Sequence, residues 1–356
     1  MTDSPLENNP GTVPVQEHLR FDTAALQDWL EDNIDGFRGP LTVEEFAYGQ
    51  SNPTYLLHAR DSQYVLRRKP PGILLKSAHA VDREYKVITA LQDTDVPVPK
   101  TYALCTDDDV IGTWFYVMEY LQGRVVADSI SGPWSTQDRG EFWDAANDAV
   151  ARLHNVDYKM VGLSDFGRHS DYIARQLNRW GGQYEYTRTV DNPYMDNLLE
   201  YLPKNIPEDE SCTVVHGDLQ IGNMIMHPHR NQVIALLDWE LSTLGSPLAD
   251  FAYLCRPYRD GLRNVDLKAL GIPGEEEYVD RYCERTGRSG IENWDYYLAF
   301  NLFKMAAILQ GIARRVLDGT AASAQAETAG AGAYHMSKVA WAQIDKSVNL
   351  DSAEPD

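Results

Sequence analysis

The sequence predicts an α+β protein of two lobes, a small β-rich N-lobe and a larger, mostly helical C-lobe. Two observations carry this expectation. Short β-prone segments separated by turn chemistry crowd the first part of the chain, with one helix among them. After about Gly123 the pattern changes to longer stretches with apolar residues at helical spacing, interrupted by a small β island. A strand-rich half followed by a helical half suggests two lobes around a cleft, a place that ligands favour.

Taken in order, residues 1–20 are polar and acidic and are expected to form a disordered leader. The N-lobe is expected over 21–121 and the C-lobe over 122–350, ahead of a frayed acidic tail at Asp351–Asp356. Phe21–Ile34 places Leu26, Trp29 and Leu30 at helical spacing. Strands are expected at Leu41–Ala47, Thr54–Ala59, Tyr64–Arg67, Thr101–Cys105 and Trp114–Leu121, and a helix from about Ser77 to Leu91. Ser135-Thr136-Gln137-Asp138 is a capping-box pattern that opens a helix running to about His154. Further helices are expected near 170–180, 192–202, 275–286, 292–318 and 325–348. The β island comprises Thr213–His216, Asn223–His227 and Val233–Leu237.

Composition narrows the function. Lys and Arg total 32 against 53 Asp and Glu, a formal net charge of −21 over 356 residues. That balance disfavours a nucleic-acid backbone binder and a polybasic membrane anchor. The four cysteines form no C-x-x-C pair, which disfavours a thiolate zinc site and fits a reducing compartment. No apolar signal region opens the chain, and the apolar stretch Tyr296–Leu309 is interrupted by Asn301 and Lys304. A cytoplasmic protein is expected, with its oligomeric state left open.

The strongest chemical signal is His216-Gly217-Asp218-Leu219-Gln220-Ile221-Gly222-Asn223, followed by Leu237-Asp238-Trp239-Glu240. A strand ends in an acidic residue, a short loop reaches an Asn, and a later strand ends in Asp. Two carboxylates and an amide oxygen converge at neighbouring strand ends. These are hard oxygen donors, suited to a Mg²⁺ that also holds substrate phosphates. Phosphoryl transfer needs such a set, one carboxylate for the hydroxyl proton and an Asp and Asn for the metal. The plain alternative is strand-end turn chemistry.

These motifs resemble the H-G-D-x-x-x-x-N and D-x-E signatures of the aminoglycoside phosphotransferase and choline kinase-like family, which has a protein-kinase-like fold. The resemblance runs over about residues 25–345 in the right motif order. Tyr64–Gly72 and His79–Tyr85 are further similar to a branch related to the kinase-like region fused to acyl-CoA dehydrogenases. The resemblance implies ATP and Mg²⁺ as cofactors, Asp218 as catalytic base, and Asn223 and Asp238 as metal ligands, with His216 and Glu240 in supporting places. It implies that Gly49-Gln50-Ser51-Asn52 covers the ATP phosphates, with Ser51 and Asn52 at the nucleotide; a plain hairpin turn is the other reading. Arg67 is the implied phosphate-binding cation, with Arg68 or Lys69 as alternatives, and alternation puts Arg68 on the opposite face. Glu84 would pair with that cation, unless it is an ordinary surface residue. Main-chain groups of Glu119 and Leu121, in the implied hinge strand, would meet adenine. Asp250 matches a residue that supports the catalytic loop.

Three look-alikes are set aside. Asp165-Phe166-Gly167 precedes Asp218, the wrong order for a kinase metal motif. His227-Pro228-His229 reads as a hairpin turn, and His154 as a helix end. Gly217 stands where protein kinases carry an Arg that receives activation-loop phosphate. The stretch between Asp238 and Asp250 is too short for a switchable loop, so a small-molecule acceptor fits better than a protein. The implied activity is transfer of the ATP γ-phosphate to a small-molecule hydroxyl, a hydroxyacyl-CoA by association with that branch. An antibiotic phosphotransferase and a catalytically silent nucleotide-binding regulator are the rivals. Residues 165–200 and 255–320 should build the acceptor pocket, where Arg256, Arg259, Arg263, Lys304, Arg314 and Arg315 suit an anion or are solvated helix faces.

Overall fold

The computed structural model describes residues 11–47, 52–72, 79–126, 135–209, 211–319 and 328–350. The chain divides into two compact units, Met1–Ser164 with His216–Ser242 and Leu270–Ile272, and Asp165–Val215 with Thr243–Ala269 and Pro273–Asp356.

The first unit is built on a six-stranded antiparallel sheet in the order β1-β2-β3-β4-β6-β5. Its strands are β1 (Thr12–Val13), β2 (Thr42–Phe46), β3 (Thr54–His58), β4 (Gln63–Arg68), β5 (Thr101–Cys105) and β6 (Phe115–Glu119). The period of two sorts the side chains. Tyr55, Leu57, Tyr64, Leu66, Phe115 and Val117 form one core with Leu26 and Leu30 of α1 (Thr23–Asn33). Val65, Arg67, Tyr116 and Met118, one step along the same strands, line a cavity instead. Asp22 caps α1 by accepting from the backbone N–H groups of Ala24 and Ala25.

Residues 11–20 depart from the expected disorder, whereas residues 1–10 lie outside the described part. Thr12 and Val13 pair with Phe46 and Glu45, and the Leu19 carbonyl accepts from Arg68 Nη2 at 2.7 Å. Arg68 is only 2% exposed, bonds Tyr55 Oη at 3.1 Å and stacks over Phe21 at 4.9 Å. A buried guanidinium needs acceptors, and the N-terminal segment supplies one.

Helix α2 (Val81–Leu91) begins later than expected: residues 77–78 lie outside the described part, and His79, at φ 61°, is not helical. A short α3 (Asp108–Ile111) and a strand β7 (Arg124–Val125) were not anticipated. Helix α4 (Thr136–His154) starts as the capping pattern predicts, with Ser135 Oγ accepting from the Asp138 N–H at 3.0 Å.

The expected β island is two structures. In the first unit β9 (Met224–Met226) and β10 (Val233–Leu236) join β7 in the order β10-β9-β7. In the second, β8 (Thr213–Val215) pairs with an unanticipated β11 (Thr243–Gly245).

The second unit also holds α5 (Tyr172–Thr187), α6 (Pro193–Tyr201), α7 (Pro247–Cys255), α8 (Leu267–Leu270) except for its last residue, α9 (Glu275–Thr286), α10 (Trp294–Leu317) and α11 (Ala329–Ile344). Helix α5 extends beyond the expected 170–180. Helix α7 was missed because all nine of its residues are buried, which leaves no amphipathic period to read. Among the described residues no helix is long and apolar enough to cross a membrane.

Candidate active site

The first unit gathers most of the sequence-predicted residues. Arg67 leaves the cavity face of β4 and donates from Nε to Glu84 Oε2 at 2.8 Å and from Nη2 to Asp238 Oδ1 at 2.5 Å. Its Nη1 lies 3.4 Å from Thr54 Oγ1, and Glu240 Oε2 is 4.0 Å from Nη2. Glu84 is 1% exposed, so it is not a surface residue. It also accepts from Asn52 Nδ2 at 2.7 Å and from the Tyr116 hydroxyl at 3.1 Å. His79 Nδ1 meets Asn52 Oδ1 at 2.8 Å. Arg67 is therefore the strand's cation at this network, while Arg68 faces the other way.

The charges are interlocked. Burial works against the Arg67 cation, yet Glu84, and behind it Tyr116, Asp238 and Glu240, hold its pKa above the usual guanidinium value. Burial pushes the Glu84 carboxyl up and the Arg67 cation pulls it back, with a net rise. Burial likewise drives the Tyr116 hydroxyl well above its ordinary range, and the neighbouring Glu84 adds to this.

The segment His216–Asn223 places the second group. His216 is fully buried; its Nε2 bonds the Leu237 carbonyl at 2.8 Å, while Nδ1 accepts from the Asp218 N–H at 3.4 Å. A carbonyl can only accept, so the proton sits on Nε2 and the ring ties the loop to the end of β10. Gly217 has φ 82°, and a Cβ there would lie 2.5 Å from the Leu241 carbonyl oxygen. Both the backbone angle and the space exclude an Arg at this position. Asn223 Nδ2 donates to the Asp218 carbonyl at 2.9 Å and to its Oδ2 at 3.0 Å, and Gln220 Nε2 reaches the same Oδ2 at 3.1 Å. The Asp218 carboxylate is thereby held, and Asn223 keeps its amide oxygen for another partner. Asp238, at φ 67°, turns the chain out of β10, and the buried Trp239 packs on His216 at 4.7 Å between ring centroids.

A cavity of about 300 Å³ adjoins these residues. Apolar Val65, Ile88, Met118 and Ile225 line it, with Arg67, Asn223 and Asp238 among its polar residues. Glu119 and Leu121 also border it. An apolar slot with a few converging polar groups suits a planar heterocycle joined to an anionic chain.

The donor set fits a small hard cation. Asp238 offers a carboxylate and Asn223 an amide oxygen, and Mg²⁺ commonly takes one or two such protein ligands beside substrate phosphates. Among the described residues no cluster of three or more His, Cys, Asp or Glu could hold a metal alone. When bound, such a cation would neutralise developing charge on the phosphates.

Some expected residues fall elsewhere. Ser51 lies outside the described residues, as does most of its loop. Asp250 is buried in the first turn of α7, in the second unit. Gly167, of the Asp-Phe-Gly look-alike, is a packing residue: a Cβ would lie 2.4 Å from Thr243 Oγ1. His227 sits in the turn between β9 and β10, and His154 ends α4, as expected. Sequence reasoning missed Tyr116, Gln220 and Thr54. Only Tyr116 had a usable signal, its alternation with core residues Phe115 and Val117 on β6.

Comparison with known proteins places this geometry. The model of the phosphotransferase enzyme family matches residues 42–299. Acyl-CoA dehydrogenase family member 10 of Mus musculus is 41% identical over 341 residues, covering 93% of this chain but 32% of the mouse protein. The chain thus spans only about a third to two fifths of the curated relatives that it matches first. A crystal structure from Ralstonia eutropha, of a protein assigned to the aminoglycoside phosphotransferases, is 45% identical with a TM-score of 0.85, covering 92% of this chain and 99% of that one. Choline kinase from Cryptosporidium parvum, 13% identical, shares the fold with a TM-score of 0.63 over 92% of this chain and 98% of its own. The α+β, protein-kinase-like architecture expected from the motifs is thus the architecture of the chain.

Proposed function

The chain belongs to the phosphotransferase enzyme family, and from that premise we propose that it transfers the γ-phosphate of ATP to the hydroxyl of a small acyl thioester, a hydroxyacyl-CoA. One observation carries the phosphotransfer reading: the Asp218 carboxylate is oriented by Asn223 and Gln220, in a unit where Asn223 and Asp238 border the same cavity. Asp218 accepts the proton of the acceptor hydroxyl as it attacks phosphorus, and its fixed orientation aims that hydroxyl. Asp238 and Asn223 would hold Mg²⁺, which would neutralise charge on the phosphates. Arg67, already desolvated and anchored by Glu84, contacts the phosphates with a charge that needs no reorganisation. Ser51 and Asn52 belong to the loop over the nucleotide, and the main chain of Glu119 and Leu121 meets adenine. Asp250, with His216, Trp239 and Glu240, supports the machinery. Acceptor residues are assigned to the second unit.

The similarity to acyl-CoA dehydrogenase family members supports the thioester acceptor. The Ralstonia relative's assignment favours an aminoglycoside as the second reading. The chain's net charge of −21 would steer cationic ligands, but surface charge is screened beyond about 8 Å at physiological salt. The deciding experiment measures phosphate transfer from ATP to hydroxyacyl-CoAs, choline, sugars and aminoglycosides, compared by kcat/KM. A preference for aminoglycosides would replace the acceptor while leaving the kinase assignment in place. An absence of turnover with every hydroxyl compound would favour a silent regulator.

A further inference from the structure

In the second unit, five side chains alternate cation and ring. Arg179 stands over the Trp180 ring of α5 at 5.0 Å, and Lys304 Nζ of α10 is 5.9 Å from the same ring. Lys304 Nζ is also 4.6 Å from the Tyr253 ring of α7, and the Arg256 guanidinium, just past the end of α7, is 4.8 Å from it. Trp180, Tyr253 and Lys304 are buried, whereas Arg179 is exposed, so the series leads inward from the surface. In a chain of net charge −21, three cations on two adjacent rings are not a default surface.

Neighbouring basic residues are neutralised locally. Arg259 pairs with Glu275 at 3.0 Å and Asp295 at 3.3 Å, and Arg314 pairs with Asp318 at 3.1 Å. Arg256 differs in having no ion pair among the described residues, and its Nη1, like Nε of Arg259, is buried there without a hydrogen-bond partner. A charged donor withdrawn from water and left unpaired is costly, and an arriving anion removes that cost. Phosphate oxygens accept short, charge-assisted bonds from guanidinium and ammonium groups, and the rings supply flat apolar contact beside them. Resting on the hydroxyacyl-CoA reading above, we propose that Arg256 and Lys304, framed by Tyr253 and Trp180, hold a phosphate ester of the acceptor and so select phosphate-bearing thioesters.

The test is equilibrium binding of coenzyme A to the full chain by calorimetry, with saturating ADP so that the nucleotide site is filled. Arg256→Gln should weaken coenzyme A by roughly 10- to 100-fold, the range for lost charged hydrogen bonds. Pantetheine, which lacks the phosphates, should bind the native chain and the variant equally. ADP affinity should be unchanged, which shows that the variant folds; Lys304→Gln, at a buried position, is a second variant judged by the same control. Native-strength coenzyme A binding by Arg256→Gln overturns the proposal, as does failure of the native chain to bind coenzyme A. Inorganic phosphate binding as tightly as coenzyme A also overturns it, since a free anion would then be the ligand. Turnover is scored separately. Binding lost in Arg256→Gln, with no phosphorylation of hydroxyacyl-CoA by the native chain, keeps the subsite and removes the thioester reaction.

Discussion

Asp238 accepts a hydrogen bond from Nη2 of Arg67 at 2.5 Å, so a proposed metal ligand and a proposed phosphate-binding cation hold each other. The pair joins the end of β10 to β4, and Glu84 on α2 fixes the guanidinium through Nε. Three elements distant in sequence thus share one cation.

Removing that cation should destabilise the first unit. Arg67→Met keeps the aliphatic stem but leaves Glu84, 1% exposed, without its counter-charge. Breaking one side of a buried pair costs about 3–5 kcal/mol. Arg67→Lys should fall between the two, because a point charge cannot bridge Glu84 and Asp238 as a planar fork does. Urea unfolding of the three proteins checks the order, and a Met variant as stable as native would remove the network's structural role.

The proposed base predicts a separation of kinetics from binding. Asp218→Asn keeps the side-chain shape and the backbone contacts of the loop, but cannot take up the acceptor proton. Turnover should fall roughly 10²-fold or more, the scale for a positioned base, while ATP affinity stays nearly native. Near-native turnover would move the base elsewhere.

The sequence made this centre legible because its residues come in two compact strings, His216–Asn223 and Asp238–Glu240, whose spacing is set by a single β9–β10 hairpin. Arg67 and Glu84 could be named, but their burial could not, since it depends on β4 and α2 facing one cavity. Gln220 was silent: it holds Asp218 through a local bond that any polar residue could offer. The β island misled because β8 runs directly into His216 yet pairs with β11, an element with no alternating pattern of its own. Residues 11–20 looked disordered by composition, while their contacts come from β2, which pairs with Thr12 and Val13, and from Arg68, buried and distant in sequence.

Buried tyrosines predict how stability changes at high pH. Burial raises Tyr116 well above the ordinary phenol value of 10.0, and Tyr172, Tyr258 and Tyr282 are raised by the same cause. A group whose folded pKa exceeds its unfolded one stabilises fully below the unfolded value, and that contribution is lost as pH climbs towards the folded one. Stability should therefore decline above about pH 10, by up to about 1.4 kcal/mol per pH unit for each such tyrosine. Tyr116→Phe should be shallower by about one proton. Unfolding free energies at several pH values between 8 and 11 give the slopes, and equal slopes would contradict the assignment.

The Arg67–Asp238 contact gives the proposed metal ligand a second consequence, opposite in sign to the first. Asp238→Ala removes a hard oxygen donor, so the gain in ATP affinity on adding Mg²⁺ should shrink, as it should for Asn223→Ala. Asp238→Ala alone also removes a carboxylate that now competes for Arg67. The freed Nη2 still belongs to a cation anchored by Glu84, with its charge close to where the phosphates are proposed to lie. ATP binding measured in EDTA should therefore be as strong as native, or stronger, in Asp238→Ala, and unchanged in Asn223→Ala. Titrations of ATP with and without Mg²⁺ against the two variants separate the effects. Full Mg²⁺ dependence retained in Asp238→Ala would place the metal elsewhere. Weaker binding in EDTA would mean that Asp238 orients Arg67 for the phosphates rather than withholding it from them.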